Sequence, residues 1–114
     1  MVAEAKAPVV LCPRSNQHLS GQLPRVQALI DTGVRLCLGT DSLASTTTLD
    51  VYDDARFLAQ TYGHHDIWWR ALTSGGADAL QRPDLGRLAP GASPGLLHLP
   101  QITRADLWLS LIHI

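Results

Sequence analysis

Two short apolar runs, Pro8-Val9-Val10-Leu11-Cys12 and Val34-Arg35-Leu36-Cys37-Leu38, stand out from a chain otherwise patterned at helical spacing. Runs of this length bounded by turn residues read as strands buried on both faces, with Arg35 the only polar interruption. Pro13 closes the first run, and a polar loop, Arg14-Ser15-Asn16-Gln17-His18, follows at its carboxyl end. Between the runs, Leu23, Val26, Leu29 and Ile30 recur at three- and four-residue intervals. Pro24 suits the first turn of that helix, and Gly33 stands where a left-handed residue ends one. The pattern predicts strand, loop, helix, strand: one βαβ unit with its two strands parallel.

Further along, Ser and Thr dominate a loop over residues 42–48. Leu49, Tyr52, Ala55 and Leu58 then predict a helix, with Thr47 and Asp50 spaced as a capping box. On it, Asp53, Asp54 and Arg56 are expected on the solvated face. Tyr62-Gly63-His64-His65 is a break, and Asp66 is placed to cap a helix through Ile67, Trp68, Trp69 and Leu72. Both Trp residues are expected as packing anchors. Ser74 is placed to open a short helix through Ala77 and Leu80. Gly86-Arg87-Leu88-Ala89-Pro90-Gly91 is turn-rich, and Gly95 to Leu99 reads as the extended start of a small β element.

The chemistry-bearing position follows from this layout. Gly39 and Thr40 turn the backbone out of the second strand and deliver Asp41 at its carboxyl end. In a parallel α/β barrel that end builds the active site, so the Asp41 carboxylate is a candidate metal ligand or general base. The alternative is that Asp41 caps the segment that follows. On the neighbouring loop, Arg14 is either a substrate-binding cation or a surface ion pair. Asn16 is read as bracing the loop or contacting substrate, and Ser42 as orienting the acid next to it.

Composition narrows the classes. The chain has 114 residues, 46% hydrophobic and 17% charged, with a formal net charge of −1. That balance fits a globular domain and carries no electrostatic footprint for nucleic acid or an anionic membrane. No apolar stretch reaches the ~18 residues of a spanning helix, and Met1 to Ala7 is too short in apolar residues for a secretory signal. Cys12 and Cys37 lie in the two strand runs; parallel neighbours bring such residues near each other, but buried free thiols are the plainer reading. A reducing, cytoplasmic setting is the expectation.

Three pieces of the sequence, in order, resemble the amidohydrolase superfamily in its deaminase and chlorohydrolase branch. That branch includes deaminases of methylthioadenosine and S-adenosylhomocysteine, of aminodeoxyfutalosine and of guanine, together with triazine hydrolases. Cys12-Pro13-Arg14-Ser15-Asn16, with Leu19 and Gly21, is similar to the loop after the seventh barrel strand. Leu38-Gly39-Thr40-Asp41-Ser42, with Ala44-Ser45 and Leu49-Asp50, is similar to the eighth-strand motif. Ala71-Leu72-Thr73, Gly76-Ala77, Ala79-Leu80 and residues 86–91 resemble the branch's carboxyl-terminal tail. Coverage runs from Pro8 to Leu99, and Ser42, where many relatives carry Gly, points within the branch to the aminodeoxyfutalosine deaminases.

The resemblance implies the carboxyl-terminal part of a TIM-type (β/α)8 barrel: the last two strands with their helices over residues 1–85, then the start of a β segment over 86–108. A complete barrel takes about 250 residues, so the chain reads as a piece of one, with Met1 an internal start. It implies a divalent metal, zinc first and iron second, with Asp41 as ligand and as acceptor of a proton from metal-activated water. The implied reaction breaks a non-peptide C–N bond of a nucleoside-like or heteroaromatic small molecule, and the family allows a homo-oligomer.

The family's metal-binding His residues on the first, fifth and sixth strands, and its nearby Glu, have no counterpart here. His18, His64, His65, His98 and His113 all lie elsewhere, and the His64-His65 pair reads as surface. A catalytic zinc takes about three protein ligands, so the piece by itself is expected to be inactive. The tail also departs, reading Ser93-Pro94-Gly95-Leu96-Leu97. Residues 109–114, Leu-Ser-Leu-Ile-His-Ile, read as an adapter-derived tail or else as a short apolar strand. The rival reading of the whole is a small non-catalytic α/β module whose Arg14 to His18 loop binds a partner or an anion.

Overall fold

A computed structural model of the chain describes residues 4–96. It comprises β1 (Val9–Leu11), α1 (Pro13–Ser20), α2 (Val26–Asp31), β2 (Leu36–Leu38), α3 (Val51–Tyr62), α4 (His65–Arg70) and α5 (Gly76–Ala79). A π-helical turn, Ala71–Gly75, joins α4 to α5. The two strands pair in parallel with Val9 opposite Leu36, Val10 opposite Cys37 and Leu11 opposite Leu38. The βαβ unit is therefore present, built on shorter strands than the apolar runs suggested.

The two faces of this sheet differ. Val9, Leu11, Leu36 and Leu38 contribute to a core completed by Val26, Ala55, Leu58, Ala59, Trp68 and Ala71. Val10, Cys12, Cys37 and Gly39 share the opposite face, where a Cβ on Gly39 would come 3.1 Å from Val10 and 3.2 Å from Cys12. Val10 is 56% exposed, so the expectation of burial on both faces fails for β1. On that face β1 is open at Val10, whereas Cys37 of β2 is buried at 3% exposure.

Local signals account for most boundaries and for the corrections. Residues 14–18 are helical rather than a loop: Pro13 sits at the first helical position and Gly21 ends α1 in the left-handed region at φ 68°. Pro24 lies ahead of α2 instead of in its first turn, and Gly33 follows α2 at φ 69° as expected. Asp50 caps α3 through the Tyr52 N–H at 3.0 Å, so the anticipated Thr47 cap is not used. Likewise Asp66 lies in the first turn of α4, and His64 is the capping residue at φ 56°. Ser74 opens no separate helix, because the chain passes from α4 through the π turn into α5 without a break.

Trp68 anchors this carboxyl-terminal block. It is fully buried, and its indole N–H donates to the Gly63 carbonyl at 2.6 Å, which ties α4 to the end of α3. Gly75 brings the π turn against β2 so closely that any Cβ there would collide with the Leu36 carbonyl oxygen. Residues 86–96 run through a bend at 86–87, a turn at 90–91 and otherwise irregular chain, and no strand occurs among them. The rest of the anticipated β segment, His98, His113, Met1 and the 109–114 tail lie outside the described residues.

Candidate active site

Asp41 follows β2 by three residues on an exposed turn, and its backbone is left-handed at φ 64°. Asp tolerates that region better than most residues, at a cost of about 1 kcal/mol or more. The carboxylate is held from α1 and from its own loop. Ser15 Oγ donates to Asp41 Oδ2 at 2.8 Å, and Ser45 Oγ lies 3.3 Å from the same oxygen. The two hydroxyls are 2.7 Å apart, and both serines are buried. Asp41 caps no helix, since Asp50 performs that function for α3.

The serine expected to orient the acid does something else. Ser42 Oγ accepts the Ala44 N–H at 3.3 Å, and its carbonyl accepts the backbone N–H groups of Ser45 and Thr46. Ser42 thus shapes the turn that presents Ser45. Asn16 is exposed on α1, where its carbonyl accepts the Ser20 hydroxyl at 2.8 Å. It braces a helix, not a loop.

Arg14 projects from α1 toward α3. Its Nη2 reaches Asp54 Oδ2 at 2.9 Å and the Thr48 and Asp50 carbonyls at 3.1 and 3.2 Å. Its Nη1 donates to Thr48 Oγ1 at 2.9 Å, and that hydroxyl in turn donates to Asp53 at 2.7 Å. Hydrogen bonding by Asp54 holds the guanidinium above its ordinary pKa. Asp54 is fully buried, which corrects its placement on a solvated face. The ion pair is an internal bolt between α1, the 42–50 loop and α3.

A cleft of about 490 Å³ opens beside this bolt, walled by Arg14, His18, Leu43, Ser45, Thr47 and Phe57. Asp41 is not on its wall, and Ser45 belongs to both the cleft and the carboxylate. Burial first, then the nearby charges of Asp41 and Asp54, push the Cys12 thiol up in pKa. Among the described residues, no three His, Cys, Asp or Glu side chains gather to hold a metal. One exposed carboxylate with hard oxygen donors fits a single place in a divalent ion's shell, and no more.

Comparison with known proteins decides the family. The amidohydrolase family model matches residues 1–103. The chain belongs to the amidohydrolase family.

Among its relatives, a 5-methylthioadenosine/S-adenosylhomocysteine deaminase of Halobacterium salinarum is 41% identical over 105 residues, covering 84% of this chain and 24% of that protein. An aminodeoxyfutalosine deaminase of Deinococcus radiodurans is 43% identical over 77 residues, covering 66% and 18% respectively. An imidazolonepropionase of Rhodococcus jostii is 33% identical over 102 residues, covering 86% and 25%. The chain therefore spans about a quarter or less of the length of these curated relatives. Within this amidohydrolase segment, sequence reasoning placed Asp41 at a strand end but missed Ser15 and Ser45 as its partners and Asp54 as the partner of Arg14. The signal for Ser45 was its place four residues after the acid.

Proposed function

We propose that this segment supplies the last two strands of a (β/α)8 barrel whose complete form is a metal-dependent hydrolase of the deaminase type. The observation that carries the reading is Asp41: an exposed carboxylate just past β2, held by two buried hydroxyls, in a family-matched segment. The half-open sheet fits the same picture, since the face bearing Val10, Cys12, Cys37 and Gly39 is what the other strands of a barrel would cover.

In this reading Asp41 contributes one ligand to a divalent cation, zinc being the first choice, with the other ligands from outside these 114 residues. When bound, such a cation supplies activated water near neutral pH. The Asp41 carboxylate accepts the proton of the attacking water and passes it to the departing nitrogen as the C–N bond breaks. Ser15 and Ser45 keep that carboxylate in place while the proton moves. Arg14 on the cleft wall is the substrate-side residue, with Asn16 on α1 and Ser42 on the neighbouring loop next in line, and Arg14 does most of its service by fixing the cleft against α3. The substrate class is a small nucleoside-like or heteroaromatic molecule bearing an exocyclic amine, as the names of the deaminase relatives suggest.

Ammonia release by the complete enzyme from 5-methylthioadenosine, S-adenosylhomocysteine and aminodeoxyfutalosine tests this. Turnover of at least one, abolished by a strong chelator and restored by Zn²⁺, is the expected result. Absence of ammonia release from all three by zinc-loaded, folded enzyme would refute the deaminase assignment.

A further inference from the structure

We propose that Ser15 is a positioning residue for Asp41, holding Oδ2 so that Oδ1 alone is presented to the reacting centre; the inference rests on the functional reading of Asp41 above. Three other serine and threonine hydroxyls on the described helical segments are satisfied locally. Ser20, Thr61 and Thr73 donate to the carbonyls of Asn16, Phe57 and Trp69, four residues earlier, at 2.8, 2.7 and 2.9 Å. Ser15 also lies in a helix, but its hydroxyl reaches a residue 26 positions away. It is 1% exposed, yet the group it serves belongs to an exposed residue.

Proton accounting gives the arrangement a direction. Each hydroxyl has one proton, and Ser15 Oγ has two partners, Asp41 Oδ2 at 2.8 Å and Ser45 Oγ at 2.7 Å. The carboxylate is the stronger acceptor and takes the Ser15 proton, while Ser45 can donate its own. Ser45 Oγ lies 2.7 Å from Ser15 Oγ and 3.3 Å from Oδ2, so two serine hydroxyls stand within hydrogen-bond distance of that oxygen. Among the described residues no hydrogen bond reaches Oδ1. The acid's backbone is held as well, in a left-handed turn at φ 64°. A carboxylate so tethered offers one oxygen in one orientation, as partners behind a metal ligand do.

The test uses the complete enzyme with Ser15→Ala, Ser15→Thr and Ser15→Cys. Zinc affinity is read by competition with a chromophoric chelator, kcat and KM separately, and folding by thermal midpoint. Ser15→Ala is expected to lose about 10- to 100-fold in zinc affinity, in kcat, or in both, with KM nearly unchanged. Ser15→Thr, which keeps the hydroxyl, is expected to recover most of the loss. Where the alanine variant does not fold, Ser15→Cys, similar in size and a weak donor, is expected to show the same loss. Wild-type zinc affinity and kcat in a folded Ala or Cys variant overturns the proposal, as does a Thr variant as impaired as Ala. Asp41→Ala separates the two levels. If it binds zinc normally, the reading of Asp41 itself falls; if it loses zinc while Ser15→Ala does not, only the positioning of Asp41 by Ser15 falls.

Discussion

The Arg14 guanidinium meets the fully buried Asp54 carboxylate at 2.9 Å, joining α1 to α3 across 40 residues of chain. The Arg14 backbone N–H reaches the other oxygen of the same carboxylate at 3.2 Å. Removing one member of such a pair strands the other without a counter-charge, which costs about 3 kcal/mol or more. Asp54→Ala is therefore expected to lower the urea midpoint of the complete protein strongly. Asp84→Ala, which cuts the exposed pair with Arg82, is expected to leave the midpoint unmoved. Equal effects from the two would contradict the bolt.

Two adjacent glycines in the turn after α4 give a sharper contrast. A Cβ at Gly75 would strike the Leu36 carbonyl oxygen, whereas at Gly76 the nearest atom is the Ala71 carbonyl oxygen at an ordinary 3.8 Å. Gly75→Ala is expected to destabilise by about 1–3 kcal/mol through overpacking of β2. Gly76→Ala, in helical backbone with room, is expected to be neutral or to stabilise by about 0.5 kcal/mol. Denaturant titration of both variants settles which side of the turn is packed.

The Cys37 thiol bears on pH. It is buried, and burial first, then the proximity of Cys12, raise its pKa above the ordinary thiol value. The raised folded-state value means the neutral thiol is favoured by folding. The associated stability is complete below the unfolded thiol pKa and is lost as pH rises through the folded one. Native alkylation by iodoacetamide, followed by mass spectrometry, is expected to be far slower at Cys37 than in the unfolded chain at pH 8. It is expected to accelerate with rising alkalinity. Equal rates folded and unfolded at pH 8 would show the thiol to be exposed and unperturbed.

What the sequence revealed follows a physical division. Gly33 and the two apolar runs are local signals, and the parallel pairing of β1 with β2 needed only those and a helix between them. Asp41 was legible because Gly39-Thr40 ends a strand in a way that any side chain after it must emerge at the strand's carboxyl end. The burial of Asp54 was encoded but overlooked: it stands four residues before Leu58 and next to Ala55, on the apolar face of α3. Its charge concealed the position, and only the distant Arg14 makes burial affordable in electrostatic terms. The Ser15–Ser45 pairing depends on how α1 lies over the 42–48 loop, a tertiary relation with no period in the sequence. Reading Pro13 as a strand's end, when it also starts a helix, concealed α1 itself.

The central claim concerns the Asp41 carboxylate, and Asp41→Asn tests it most directly because the shape is kept and the charge removed. The measurement is zinc bound per chain, alongside the ammonia-release rate, in the complete enzyme before and after the change. We expect bound zinc to fall well below the wild-type level and the rate to drop by about 100-fold or more, with thermal unfolding little changed. An Asp41→Asn enzyme that keeps its zinc and its rate would contradict the account.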